Sequence, residues 1–151
     1  MENPSSGTHL DASPRTTHYK DRPMPRILVI DDQSQVRAAI MLMLRAKNLE
    51  GVGVDSGPAG LKEFAASRFD LAIVDIFMLG MDGMALIKAL RERRPHLPVI
   101  AISGVRIDAS GGTALDLLPN ATSLSDIICL QKPFRSDQLM QAIQTATGIA
   151  L

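Results

Sequence analysis

Four apolar runs along the chain each stop at or just before a polar side chain. Runs of about five apolar residues with polar ends are typical of strands buried in a parallel sheet. The segments between them have the start and stop residues expected of helices. The runs are Ile27–Ile30 before Asp31, Leu71–Val74 before Asp75, Val99–Ile102 before Ser103, and Ile127–Leu130 shortly before Lys132.

Strands and helices are predicted to alternate five times, as (βα)5, which favours an α/β fold with a parallel sheet covered on both faces. Right-handed crossovers place the first and last helices on one face and the other three on the opposite face. The predicted strands are 26–30, 51–54, 71–75, 98–102 and 127–131. The predicted helices are 34–47 with Ser34 as N-cap, 58–67, one from Gly83 to about 94, 113–123 and 136–147.

The composition fits one globular domain with a terminal extension. The chain has 151 residues, of which 46% are hydrophobic, and this is enough for a single core. Residues 1–25 are rich in Ser, Thr and Pro and poor in aliphatic side chains. We therefore predict a disordered extension there and a folded domain over residues 26–151.

Charge and cysteine content argue against several classes of protein. The 16 basic residues balance the 16 acidic ones, and no long basic run predicts a nucleic-acid partner. No apolar stretch reaches the roughly 18 residues that span a bilayer, and the N-terminus lacks the apolar region of a signal peptide. Cys129 is the only cysteine. This excludes an internal disulfide and fits a reducing cytoplasm, and we expect Cys129 to pack inside its strand.

The polar residues that follow the strands are expected to converge, because the carboxyl ends of parallel strands lie at one edge of an open sheet. Asp31, Asp32 and Asp75 would repel one another without a cation, and Mg²⁺ prefers carboxylate ligands. Asp75 can accept a phosphoryl group covalently. Lys132 can supply a positive charge, and Ser103 a hydrogen bond, to the phosphoryl oxygens.

In this order and spacing, the four signals resemble the receiver domain of response regulators in two-component signalling. The resemblance covers about residues 26–148. It implies a flavodoxin-like, doubly wound five-stranded parallel sheet with strand order 2-1-3-4-5. The matching stretches are Ile30–Asp32, Val74–Gly83, Ala101–Gly104 and Lys132–Phe134.

The resemblance implies a role for each site residue. Asp75 matches the phosphoacceptor, Ser103 matches the switch hydroxyl, and Lys132 matches the lysine that pairs with the phosphoryl group. Pro133 follows Lys132, where the family often has a cis peptide bond. The implied magnesium ligands are the carboxylates of Asp31, Asp32 and Asp75 and the backbone carbonyl of Phe77.

The implied function is that of a stand-alone receiver rather than an enzyme. A histidine kinase or a histidine phosphotransfer protein would phosphorylate Asp75 with Mg²⁺. Phosphorylation would then shift the conformation of the face near the fourth helix, fifth strand and fifth helix. A downstream protein target is the expected partner, no effector domain is expected after Leu151, and the same face is a candidate homodimer surface.

The chain departs from the family pattern near the switch. Cys129 stands three residues before Lys132, where many receivers carry an aromatic ring, so phosphorylation must be read out differently. Leu79 stands where the family often has Pro. Phe77 and Val105 are apolar at positions that flank the path of attacking water, which predicts slow loss of the phosphoryl group.

The first helix has apolar residues on two faces. Met41 and Leu42 lie away from the predicted sheet-facing stripe. They are either covered by the core or form a docking patch for the helical bundle that carries the phosphohistidine. The predicted sheet-facing residues are Val36, Ala39, Ile40, Met43, Leu44 and Lys47.

Two other functions remain open from the sequence. A Mg²⁺-dependent phosphohydrolase would also form an aspartyl-phosphate, but such enzymes usually have a second acid where this chain has Phe77. A degenerate receiver would act only as an interaction module, although the acidic set and Lys132 are complete. Singly, some acids also have a structural explanation, since Asp31 and Asp32 can cap the first helix and Asp82 the third.

Overall fold

The computed structural model describes residues 24–78, 81–104 and 126–151. Within these ranges, five parallel strands form one sheet in the order β2-β1-β3-β6-β7, which confirms the predicted strand order. Most of the extension predicted over 1–25, the helix predicted over 113–123, Leu79 and Val105 lie outside the described residues. The elements are β1 (Arg26–Ile30), α1 (Ser34–Arg45), β2 (Glu50–Val54), α2 (Gly57–Ala66), β3 (Leu71–Asp75), β4 (Phe77–Met78), β5 (Met81–Asp82), α3 (Gly83–Arg93), β6 (Val99–Ser103), β7 (Ile128–Gln131) and α4 (Ser136–Thr147).

Alternate residues of the central strands feed two separate cores. In β1, Leu28 and Ile30 pack in the core that contains the buried residues of α3. Ile27 and Val29 pack on the opposite face with Ile40 of α1. Helices α1 and α4 share that second core, whereas α2 and α3 cover the first. Every residue of β3 and β6 is buried, so the sheet is covered on both faces, as predicted.

The register aligns the carboxyl ends of the strands. Ile30 pairs with Val54 on one side and with Val74 on the other. Asp75 pairs with Ile102, and Ser103 pairs with Gln131. The residues that follow these positions therefore emerge at one edge of the sheet, which is where open α/β sheets bind ligands.

Helix ends follow local capping chemistry. Ser56 Oγ accepts a hydrogen bond from Ala59 N at 3.3 Å, with Pro58 in the first turn of α2. Asp82 Oδ1 accepts one from Met84 N at 2.9 Å, so Asp82 is the predicted cap of α3. The prediction of Ser34 as N-cap of α1 is wrong, because the N-cap is Gln33 and its side chain makes no capping bond.

A short antiparallel pairing of β4 with β5 follows β3 and was not predicted from the sequence. Gly83 begins the helix directly after it and lies against the end of β3. A Cβ there would lie 2.3 Å from Ile76 Cα and 2.7 Å from the Asp75 carbonyl oxygen. Only glycine allows α3 to start this close to the strand that carries Asp75.

Of the two alternatives left open for Met41, burial by the core is the one found. Met41 packs on the second core, because Gly51 of β2 leaves space beneath it: a Cβ on Gly51 would lie 2.6 Å from Met41 Sδ.

Three other predictions about the surface are wrong. Ala39 and Lys47 are exposed rather than facing the sheet. Cys129 is exposed rather than packed, because Ile128 and Leu130 of β7 face the second core and Cys129, which lies between them, faces the opposite side of the strand.

Candidate metal and phosphoacceptor site

Three carboxylates meet at the carboxyl edge of the sheet. One oxygen each from Asp31, Asp32 and Asp75 lies within 4.8 Å of the other two. Asp31 is fully buried and Asp75 is 3% exposed, whereas Asp32 is half-buried. Three like charges this close in a partly dry site favour a cation between them.

Asp31 is held by its neighbours on three sides. Its N–H donates to the Val54 carbonyl at 3.2 Å, and its Oδ1 accepts from Gln33 N at 2.8 Å. Arg37 Nη1 donates to its carbonyl oxygen at 2.8 Å. Among the described residues, the buried Asp31 Oδ2 accepts no well-aligned hydrogen bond, although the Lys132 ammonium lies 2.8 Å away. A buried oxygen of this kind beside two further carboxylates fits a hard divalent cation such as Mg²⁺.

Asp75 is positioned at the end of β3 through both of its oxygens. Oδ1 accepts a hydrogen bond from Phe77 N at 3.0 Å, and Oδ2 accepts one from Lys132 Nζ at 3.1 Å. Burial raises the pKa of Asp75 above its usual value, with a further contribution from Asp31, although Phe77 N–H and Lys132 oppose the rise. The Asp75 carboxylate thus has a fixed orientation, and its negative charge is only partly balanced by the neighbouring donors.

Lys132 reaches this cluster from the loop between β7 and α4. Its Nζ lies 2.8 Å from Asp31 Oδ2 and 3.1 Å from Asp75 Oδ2. Burial alone would lower the pKa of Lys132, but hydrogen bonds and charges from these two acids outweigh it and raise the pKa. Lys132 N donates to the Ser103 carbonyl at 2.7 Å, and the Lys132–Pro133 peptide bond is cis.

All of the side chains predicted for the site from the sequence are found at this edge. Ser103 is 6% exposed and ends β6, in the strand adjacent to the one that carries Asp75. Phe77 donates its N–H to Asp75, and its side chain is 43% exposed. The sheet brings Asp31, Asp75 and Lys132 into direct contact although they are far apart in the sequence.

Two polar residues at the site were missed by sequence reasoning. Arg37 supports the backbone of Asp31, and Gln33 Oε1 accepts a hydrogen bond from Lys132 Nζ at 3.0 Å. Both belong to the start of α1, directly after the acidic pair. The only signal that could have pointed to them is that helix-start residues lie at the ligand-binding edge of such sheets.

Comparison with known proteins gives a consistent result. The family model of the response regulator receiver domain matches residues 27–144. The response regulator protein FleR of Pseudomonas aeruginosa is 34% identical over 118 residues, which are 78% of this chain and 24% of FleR. The DNA-binding transcriptional regulator NtrC of Escherichia coli is 30% identical over 120 residues, again 24% of that protein. The chain thus spans about a quarter of these relatives.

A crystal structure of a response regulator receiver domain protein from Clostridium thermocellum has a similar fold. It is 28% identical, with a TM-score of 0.69, and the match covers 83% of this chain and 95% of that one. Among the described residues, none of the helices is both long and apolar enough to cross a membrane. With the family model matching most of its length, the chain belongs to the response regulator receiver domain family of two-component systems.

Proposed function

We propose that this receiver accepts a phosphoryl group on Asp75, in a Mg²⁺-dependent reaction, from a phosphohistidine of a kinase or phosphotransfer protein. The observation that carries the proposal is the geometry around Asp75. Lys132 Nζ lies 3.1 Å from Asp75 Oδ2 and 2.8 Å from Asp31 Oδ2, and Asp32 completes the acidic cluster. A nucleophilic carboxylate beside a point charge and a candidate cation site suits phosphoryl transfer.

In the proposed reaction, a carboxylate oxygen of Asp75 attacks the phosphorus of the phosphoimidazole. The new O–P bond forms as the P–N bond breaks, and the electron pair of that bond returns to the imidazole nitrogen. Lys132 donates to a phosphoryl oxygen, and Ser103 can donate to another. Mg²⁺, held by Asp31, Asp32, Asp75 and the Phe77 carbonyl, would supply charge neutralisation for the phosphoryl oxygens.

The phosphorylated form is proposed to act through protein contacts in the cytoplasm. We propose that Ser103 acts as the switch hydroxyl that biases two conformations of the chain. Cys129, where relatives carry an aromatic ring, is exposed on the edge strand β7. The readout would therefore use a downstream protein target, or a second copy, on the β7 and α4 side rather than a ring that swings inward.

The phosphodonor is proposed to dock on α1 beside the site. A cavity of about 450 Å³ lies between α1 and the loop after β7, with Val36, Met43 and Phe134 among its apolar lining and Lys132 at one side. On another face of α1, the side chain of Leu42 is 70% exposed and lines a second cavity with Met24 and Met41. Exposed apolar surface on the helix that follows the acidic pair fits the helical face on which a phosphohistidine is presented.

Intact mass spectrometry after treatment with acetyl phosphate and Mg²⁺ tests the proposed chemistry. We expect a single phosphoryl adduct that is absent in Asp75→Asn and retained in Asp55→Asn, an exposed acid that follows β2. Sustained release of inorganic phosphate with turnover would instead indicate a phosphohydrolase. Absence of any adduct would indicate a degenerate receiver that serves only as an interaction module.

The docking surface is tested separately, with a kinase as donor. Leu42→Lys should slow phosphotransfer from the kinase by about tenfold, since burying a charge in an apolar contact is costly. Phosphorylation of the same variant by acetyl phosphate should stay unchanged. Lys62→Leu, on the unrelated helix α2, is the control. Equal losses with both donors would contradict docking on α1.

A further inference from the structure

Gln33 is joined to the site by a contact that the proposed reaction does not use. Its Oε1 lies 3.0 Å from Lys132 Nζ, across a separation of 99 residues in the sequence. Asp31 and Asp75 are the other two oxygen partners of the same ammonium. Two of the three N–H donors of the ammonium are thus used in hydrogen bonds to Gln33 and Asp75, and Asp31 Oδ2 forms an ion pair with the same group.

The backbone of Gln33 is held so that its side chain is available for this contact. Gln33 N donates to Asp31 Oδ1 at 2.8 Å, and the side chain makes no capping bond to α1. Gln33 itself is exposed, so its amide is not required by the core. Its hydrogen bond to Lys132 is the one described interaction of that side chain within the site.

The position of the ammonium conflicts with the binding of a second cation. Lys132 Nζ sits against Asp31 Oδ2 and Asp75 Oδ2, and both acids belong to the cluster that can hold a metal ion. Two cations sharing these oxygens repel each other. Any group that stabilises the ammonium in this position therefore opposes the entry of Mg²⁺.

We propose that Gln33 is a positioning residue that holds Lys132 over the acidic cluster in the resting site and thereby weakens Mg²⁺ binding. The proposal rests on the proposed function in taking this cluster as the Mg²⁺ site and Lys132 as the group later required by the phosphoryl oxygens. When Lys132 moves to those oxygens, its bond to Gln33 breaks. Gln33 thus affects how readily Mg²⁺ enters the resting site.

Isothermal titration calorimetry with MgCl₂ tests the proposal. Gln33→Met keeps the side-chain length but removes the acceptor, and we expect it to bind Mg²⁺ about two- to tenfold more tightly, as one hydrogen bond is worth. Gln35→Met is the matched control, because Gln35 lies on the same helix and has no described bond to Lys132. Its Kd should equal that of the wild type.

A double-mutant cycle separates positioning from a general structural effect. In a Lys132→Met background, Gln33→Met should leave the Kd for Mg²⁺ unchanged, because the ammonium that Gln33 holds is gone. A second cycle with Lys132→Gln provides the same test if the Lys132→Met variant does not fold. An equal effect with and without Lys132, or weaker Mg²⁺ binding by Gln33→Met, would overturn the proposal. If the wild-type protein binds Mg²⁺ but accepts no phosphoryl group, the proposed function is refuted. The double-mutant cycle then still decides the role of Gln33, because it measures Mg²⁺ binding alone.

Discussion

The two ends of the parallel sheet carry similar charged side chains in different arrangements. At the amino end, Asp70 Oδ2 accepts from Arg26 N at 2.8 Å, Arg26 Nε lies 3.3 Å from Glu50 Oε2, and the Arg26 guanidinium stacks over Phe69 at 5.0 Å. At the carboxyl end, Asp31 and Asp75 share one lysine, and Asp32 lies beside them.

The difference lies in how each end balances its charge. Acids at the amino end are half-exposed or exposed and each has a local partner, so they fasten strands to loops. At the carboxyl end, Asp31 and Asp75 are almost fully buried, and these two acids contact one described ammonium, that of Lys132. A surplus of like charge costs folding free energy unless a ligand balances it. Such a surplus identifies a binding site better than the presence of acids does.

The sharpest test of this comparison is Mg²⁺ affinity after removing one acid from each end. Asp31→Asn should weaken Mg²⁺ binding by about 100-fold, since even the outer partners of metal ligands are typically worth 10- to 100-fold. Asp70→Asn should leave the affinity unchanged, because the described hydrogen bonds of Asp70 go to the backbone of Arg26, at the other end of the sheet. Calorimetric titration measures both. Similar losses in the two variants would show that the carboxyl end has no special role.

Stability should respond in opposite directions at the two ends. Asp70→Ala leaves the Arg26 N–H without its acceptor and should lower the free energy of unfolding by about 1–3 kcal/mol. Asp75→Asn, measured without Mg²⁺, keeps an acceptor for Phe77 N but places an amide nitrogen where Oδ2 faces Lys132. Lys132 retains Asp31 and Gln33 as partners, and one of the clustered charges is removed. It should raise the free energy of unfolding by about 1 kcal/mol, as is common where function requires a strained site.

Urea denaturation measures both changes, and Asp55→Ala provides a control. Asp55 is exposed, so its removal should alter the free energy of unfolding by less than about 0.5 kcal/mol. If Asp75→Asn destabilised the protein as much as Asp70→Ala, the acids at the carboxyl end would be structural pairs like those at the amino end.

The same contrast explains which parts of the molecule the sequence predicted. Asp31, Asp75 and Lys132 were predictable because each follows an apolar run, and parallel topology fixes where such runs end. The strand order was implied by the resemblance to receiver domains that these motifs carry. The positions of the site residues depend on periodicity, which can be read along one chain.

The remaining features depend on contacts that have no periodic signal. Gln33 meets Lys132 across 99 residues, and neither residue type alone predicts the bond. Met41 packs inward because Gly51 leaves room in the neighbouring strand, so the helical pattern of α1 alone could not reveal it. Cys129 is exposed because its neighbours Ile128 and Leu130 face the second core and it faces the other side of β7. The continuous apolar run does not show which of its residues face a core.

The smallest predicted effect concerns an ion pair at the amino end, where Arg91 Nη1 donates to Oδ1 of the exposed Asp126 at 2.8 Å. This bond lowers the pKa of Asp126 below its usual 3.8. The pair therefore stabilises the fold above about pH 4, and its contribution is lost as the pH falls through the lowered pKa. Because Asp126 is exposed, Asp126→Asn should cost less than about 1 kcal/mol at pH 7. Urea denaturation at pH 7 and at pH 3 should show that the difference in free energy of unfolding between variant and wild type is smaller at pH 3. A difference that persists at pH 3 would mean that the cost comes from packing rather than from charge.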